Sequence, residues 1–217
     1  MINHYLIQKA LRAKLLTLTV CTTGSVQISA TATGYARASG SFLTDGFVPG
    51  LEVAGTGFVP ANNANKTLTG VTALTLTCPG NSVEAAGTRT ITAGLPSDRA
   101  WENVVFNPTT GTPFVEEVYL PGPMEAMTLG ALGQLEVLPI YAPKIFVPAG
   151  SGVGAARSYA DALLTLFAPR TSLTVTGHTV TVGAVPAPYS GQLLQGLPGW
   201  AVIPVTIPLR VRTANSI

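Results

Sequence analysis

The sequence predicts an α+β protein, in which a mostly antiparallel sheet carries two helices on one face and a small all-β domain, a sandwich or a barrel, is inserted after the first helix. Three observations carry that prediction. Runs of Thr, Val and Leu alternating with a period of two crowd residues 25–94 and return further on. Two other stretches repeat an apolar residue every third or fourth position, as a helix face requires. Finally, 23 Gly and 17 Pro among 217 residues cut the chain into short elements. With 47% hydrophobic and only 10% charged residues the chain has the opposite balance to a disordered one, and the Gly and Pro content excludes a long coiled coil.

The first helix is read from Ile7, Leu11, Leu15 and Leu18, which share one face, with Lys9, Arg12 and Lys14 off it as a solvated face. The same segment imitates a lipoprotein signal ending at Cys21. The imitation fails because the apolar stretch before Cys21 is about seven residues long and broken by threonines, and Val20 stands where a small residue is required. In the β block, residues 26–31, 41–44, 51–54, 66–71 and 73–77 read as strands, with turns at Asp45-Gly46 and at Asn62-Asn63-Ala64-Asn65. Its charges cancel: Arg37, Lys66 and Arg89 against Asp45, Glu52 and Glu84.

Beyond Pro96 the texture changes. Residues 114–120 read as a strand ended by Pro121-Gly122-Pro123, and 132–141 as a second, which Pro139 places at an edge or on a bulge. Residues 153–167 form the second helix, its stripe made by Ala155, Tyr159, Leu163, Leu166 and Phe167, and Pro169 stops it. A hairpin over 173–182 turns at Gly177-His178, and 200–211 is a long last strand. With the β block removed the order is helix, strand, strand, helix, hairpin, strand, a two-layer α+β layout. The first helix must therefore pack on the segment after Pro96. Residues 1–24 and 95–217 are expected to form one α+β domain with 25–94 inserted as an all-β module, and deletion of about residues 29–93 to leave a folding subunit.

Few residues suggest chemistry. A net charge of +2, from 12 basic and 10 acidic residues, gives no basic field for a nucleic-acid backbone. Cys21 and Cys78 make neither a disulfide framework nor a metal knuckle; they read as small buried side chains, with a single bridge left open. No apolar run reaches the length of about 18 residues that a membrane helix needs. Ser151, Asp161 and His178 follow the chain order of a hydrolase triad, yet Ser151 lacks the Gly-x-Ser-x-Gly elbow and the spacings are too short; His178 reads as an exposed turn residue. Gly150-Ser-Gly152-Val-Gly154 sits where a dinucleotide fingerprint belongs, but the third glycine falls at Ala155 and no acidic residue follows in 171–182. Glu116 and Glu117, adjacent on a strand, point to opposite faces and cannot work as a catalytic pair. No catalytic residue, cofactor or metal ligand set is expected.

Five segments carry a resemblance: Ala100-Trp-Glu-Asn-Val-Val-Phe-Asn-Pro108, Gly111-Thr-Pro-Phe114, Leu120-Pro-Gly with Leu129-Gly130, Pro148-Ala-Gly-Ser-Gly-Val-Gly154 and Val202-Ile-Pro-Val-Thr-Ile-Pro208. Together the chain resembles tail terminator proteins of long-tailed bacteriophages, closely over 97–212 and loosely over 1–24. The resemblance implies a virion protein at the neck of the tail: a homohexameric ring that caps the tail tube, stops its polymerisation and offers a surface to the head-completion or neck protein, with DNA passing through the lumen. It implies no sequence-specific nucleic-acid binding, no membrane and no cofactor. Residues 25–94 depart from the shorter relatives, and the run from Ala32 to Gly50 is similar to β modules of phage tail-tube and related structural proteins. A tail-tube protein and an outer decoration protein, its module binding the cell surface through Tyr35, Phe42, Phe47 and Phe58, are the alternatives. Phe114, Tyr119, Tyr141 and Trp200 are candidates for subunit or tube contacts, and equally for the core.

Overall fold

The computed structural model describes residues 2–102, 104–128, 133–195 and 198–214. Asn103 and Leu129-Gly130 of the segments quoted above, and Leu132 at the start of the expected second strand, lie outside them.

Helix α1 (His4–Leu15) begins at Asn3, whose side-chain oxygen accepts from Leu6 N at 3.1 Å. It buries Ile7, Leu11 and Leu15. It stops three residues before Leu18. Thr17 bonds its hydroxyl to Lys14 O at 2.7 Å, and the β-branched stretch that follows becomes strand β1 (Thr19–Thr22). Leu18 is still buried, but from the connection and not from the helix.

Strand β1 belongs to the first sheet, with β2 (Val26–Thr31), β3 (Gly34–Arg37), β4 (Glu52–Thr56), β5 (Lys66–Thr67), β6 (Gly70–Val71), β7 (Thr75–Thr77) and β8 (Glu84–Gly94). The 11-residue β8 is its spine: β2 and then β1 pair along one side, and β4 along the other, all antiparallel. Sequence periodicity misses β8 because Ala85, Ala86 and Gly87 give its first half no alternation of apolar and polar residues. Between β5 and β6, Leu68 N donates to Leu51 O at 2.9 Å and Thr69 N to Thr77 O at 2.8 Å, so one short segment touches both ends of the strand order. Residues 41–44, expected as a strand, are a turn. Phe47 N reaches back to Phe42 O at 3.0 Å, Gly46 takes φ +93°, and the two phenylalanine rings meet edge-on inside. Asn62 and Asn63 end a single helical turn, α2 (Pro60–Asn63), after which the chain bends.

The second sheet has a regular plan hidden by prolines. Strands β13 (Gln134–Val137), β14 (Ile140–Tyr141) and β15 (Lys144–Pro148) are pieces of one run against β20 (Trp200–Ala214), in unbroken register from Gln134↔Ala214 to Pro148↔Trp200. Pro139 and Pro143 have no N–H to give, yet their carbonyls accept from Leu209 and Val205, each at 2.9 Å. On the far side of that run lie β10 (Phe114–Glu116), β11 (Tyr119–Leu120) and β12 (Met124–Ala126). On the far side of β20 lie β17 (His178–Val182), β18 (Tyr189–Ser190) and β19 (Leu194–Gln195). Strand β9 (Asp98–Ala100) adds to β10 in parallel, and β16 (Ser172–Val175) pairs with β17 through the turn at Gly177. The strands expected over 114–120 and 132–141 are thus each broken in two, and the sheet is antiparallel apart from β9.

Helix α3 (Gly154–Leu166) buries Ala155, Ala156, Tyr159, Ala160 and Leu163. It packs on β15 and β20 of the second sheet, on β1 of the first and on α1, while α1 also touches β16. The Tyr159 hydroxyl accepts from Glu52 N of β4 at 3.0 Å. One continuous buried cluster therefore takes in Phe47, Leu51 and Val53 as well as Val147, Ile203 and Val205.

Candidate interaction surface

On β20, residues 203, 205, 207, 209 and 211 point into that cluster, so Trp200, Val202, Pro204, Thr206, Pro208, Arg210 and Arg212 share the opposite face. An antiparallel sheet with one wet face normally shows polar residues there. This one is apolar or proline from Trp200 to Pro208 except at Thr206. Near Trp200 a second, smaller cluster forms: Phe114 stacks on Phe146 with ring centroids 4.3 Å apart, and Phe106 and Trp200 pack on Phe114 at 5.2 and 5.7 Å. The three phenylalanines, with Trp101, Leu194 and Pro204, line an open cavity of about 890 Å³. Glu102 and the Lys144–Glu116 ion pair, 3.1 Å long, also line it.

Beneath the cavity a polar network ties α1 to the sheet. The Glu117 side chain is fully buried and receives Arg12 Nε at 2.9 Å, Arg12 Nη2, and the Tyr141 hydroxyl at 3.3 Å. Burial, then the nearby Glu117 carboxylate, pushes the Tyr141 hydroxyl far above the usual phenol range. The Arg12 guanidinium also lies 4.4 Å from the centre of the Trp101 ring. Arg12 is therefore a tether, not part of a solvated face as its helix position suggests. Nearby, His4 Nδ1 and the Tyr119 hydroxyl are 2.9 Å apart.

At the other end of β20, Arg210 and Arg212 share one carboxylate oxygen of Glu136, at 3.6 and 2.9 Å. The neighbouring surface exposes Leu120, Ile140, Met124, Met127 and Tyr189.

Of the four aromatic contact candidates, Phe114, Tyr119 and Tyr141 are buried within the chain, at 3%, 5% and 0% exposure. Only Trp200 is half-exposed, and its indole N–H donates to Thr112 O at 3.4 Å. Sequence reading passed over Phe106, Met124, Met127, Leu194 and Arg210. The alternate positions of β20 were the available signal, since the apolar residues there exceed what one buried face requires.

The triad residues go to separate partners. Ser151 donates to Pro148 O at 2.7 Å, Asp161 is exposed on α3, and His178 accepts from Asn3 N at 3.3 Å. His178 is half-buried against the start of α1, not the exposed turn residue expected, because the hairpin folds onto that helix. Glu116 and Glu117 take different partners, Lys144 and Arg12. Cys21 and Cys78 are both free thiols, pushed up to about 12 and about 11 by burial. Tyr35, Phe42, Phe47 and Phe58 are all core residues, so none offers a ring face to a sugar. Among the described residues no three His, Cys, Asp or Glu side chains gather as a metal site, and no helix is long and apolar enough to cross a membrane.

One solved structure matches with 22% identity over 54% of this chain and 79% of its own, at a TM-score of 0.39. No curated protein matches. The family profile of phage tail terminator proteins matches residues 82–209. That span runs from just before β8 through α3 to Leu209 of β20, including the apolar outer face and the Arg12-linked Glu117. With more than half of its length matched, the chain belongs to the phage tail terminator family, structural proteins of the bacteriophage tail.

Proposed function

We propose that this chain closes into a homohexameric ring that caps the tail tube, ends its polymerisation and joins the tail to the head-completion or neck protein, with DNA passing through the lumen. The family match over 82–209 carries the reading, and the open apolar face of the second sheet supports it, since a ring subunit must bury two different patches against its neighbours. The protein acts by binding and blocking, not by chemistry. Residues 1–24 and 95–217 form the ring-building unit, and residues 25–94 are an inserted module that braces it. Of the aromatic contact candidates we assign the contact with another chain to Trp200, the one that is half-exposed. Phe114, Tyr119 and Tyr141 shape the sheet behind it.

Sedimentation of the purified chain with and without tail tubes, followed by electron microscopy of virions, tests the reading. A six-fold ring seated between tube and neck is the expected result. Long stacks of the protein alone would make it a tube protein, and absence from particles would remove it from the tail.

A further inference from the structure

The first sheet is held at its ends by more than strand pairing. Its order runs from β5 to β6, and among the described residues each of these two-residue strands pairs with one neighbour, β4 and β7. Lys66 of β5 reaches across to the turn that leaves β7, where its Nζ donates to Gly80 O at 3.0 Å and to Asn81 Oδ1. A single side chain thus ties one end of the strand order to the turn beside the other.

Asn81 is fixed from its far side. Its Nδ2 donates to Gly34 O at 2.6 Å. Gly34 takes φ +149° and has no room for a Cβ beside Leu76 O, so only glycine lets β3 and β7 approach closely there. With Nδ2 held on that side, Oδ1 faces Lys66, and the amide carbon Cγ lies one bond beyond the atom that Nζ meets. The Tyr35 ring is 6.0 Å from the same Nζ. Burial, then the nearby Cys78, raises the Tyr35 hydroxyl, and a hydrogen bond to the Asn81 side chain lowers it in part.

Among the described residues no carboxylate pairs with Lys66, whose amine meets two carbonyl oxygens. Desolvation lowers that amine below the usual lysine range, with Cys78 offsetting part of the effect. A lysine freed of its proton by desolvation is a nucleophile. The group it faces is a primary carboxamide, an electrophile whose leaving group is ammonia.

We propose that the folded chain joins Lys66 Nζ to Asn81 Cγ in an amide bond, a covalent staple across the first sheet. The neutral amine attacks Cγ. The Nζ–Cγ bond forms, the Cγ–Nδ2 bond breaks, and Nδ2 departs as ammonia with the proton that Nζ gives up. Neither an oxidant nor a co-reactant is needed. The Tyr35 hydroxyl, bonded to the Asn81 side chain, is placed to relay that proton. Because both groups sit on one folded chain, position takes the place of concentration. The staple anchors β5, which the ladder holds by two residues alone, to the turn before β8. The chain performs this chemistry once, on itself, and the staple stands whether or not the ring does.

Intact-mass measurement of the purified full-length chain after denaturation tests it. The expected mass falls below that of the sequence by one ammonia. Trypsin cannot cut after an acylated lysine, so residues 38–89 should run as one peptide short of that ammonia, whereas an unjoined chain gives 38–66 and 67–89. Lys66→Arg and Asn81→Ala should each restore the full mass. A wild-type chain at full mass and cut after Lys66 overturns the staple. An ammonia loss that persists in Lys66→Arg, or that leaves the wild-type chain cut after Lys66, overturns it as well, because Asn81 has then closed on its own backbone.

Discussion

Replacing Arg12 by Met keeps most of the aliphatic stem and removes the guanidinium, which both holds Glu117 and lies over the Trp101 ring. The Glu117 side chain has no exposed surface, and among the described residues its one remaining bond is from the Tyr141 hydroxyl at 3.3 Å. Breaking a buried ion pair by removing one partner costs about 3–5 kcal/mol, because a charge is left without compensation. Arg12 itself is 34% exposed, so water reaches the place it vacates and the low end of that range applies. For a chain of this size about 3 kcal/mol corresponds to a fall in Tm of roughly 6–12 °C. Urea titration, read as a shift in midpoint at constant slope, measures the loss. Adding Glu117→Gln to Arg12→Met removes the stranded charge while keeping a carbonyl to accept from Tyr141, and should recover most of the stability. A loss below about 0.5 kcal/mol for Arg12→Met, the scatter of ordinary surface changes, would refute the buried tether.

Deleting residues 29–93 with a short linker should now give an insoluble or molten product, contrary to the expectation from the insertion alone, because it strips the first sheet from Tyr159 and β1; a cooperative melt would show that the ring-building unit folds unaided. Glu52 is buried at the same junction, and burial raises its carboxyl above the usual range, so the folded state binds its proton more readily than the unfolded one. Its contribution falls as pH rises from the unfolded value of about 4.3 through the higher folded value, and Glu52→Gln should flatten the urea midpoint against pH across that window. Leu163→Asp should leave no native fold by circular dichroism, since it buries a charge with no partner at a fully covered position. Cys21 and Cys78 should label slowly with a thiol reagent at pH 8 and rapidly in denaturant, both thiols being protonated when folded.

Wherever one periodicity ran uninterrupted, structure could be read from sequence. The α3 stripe, the hairpin about Gly177 and the long β20 are where alternation or the helical repeat places them. Two kinds of element escaped. The central β8 carries Ala85-Ala86-Gly87 in its first half, and what makes it a strand is hydrogen bonding to β2, β1 and β4, which no local pattern encodes. A proline misled in the other direction: Pro139 suggested an edge or a bulge, although its carbonyl, like that of Pro143, keeps the register through the middle of the sheet. The interaction surface was half legible. Aromatic residues drew attention, but three of those four are used inside the chain, whereas the excess of apolar residues on alternate positions of β20 was the better guide to what faces outward.

Residues 25–94 are harder to separate from the rest of the chain than composition suggests. Composition changes near Pro96, but the family match begins at residue 82, within the β-rich block, and so includes β8, the strand on which the first sheet is assembled. Strand β1, on the near side of the block, pairs with the far end of β8 at Thr19↔Gly94. The chain thus enters and leaves residues 25–94 through one antiparallel pair, whose strand β1 packs against α3. Tyr159 then has two roles, packing in the core of the second sheet's helix and accepting from Glu52 N across the junction. Tyr159→Phe keeps the first and removes the second, leaving a buried N–H without its partner at a cost of about 1–3 kcal/mol. If the module braces the ring, that loss should lower the temperature at which rings dissociate as well as the Tm of the subunit. If it is only carried, the subunit alone should feel it.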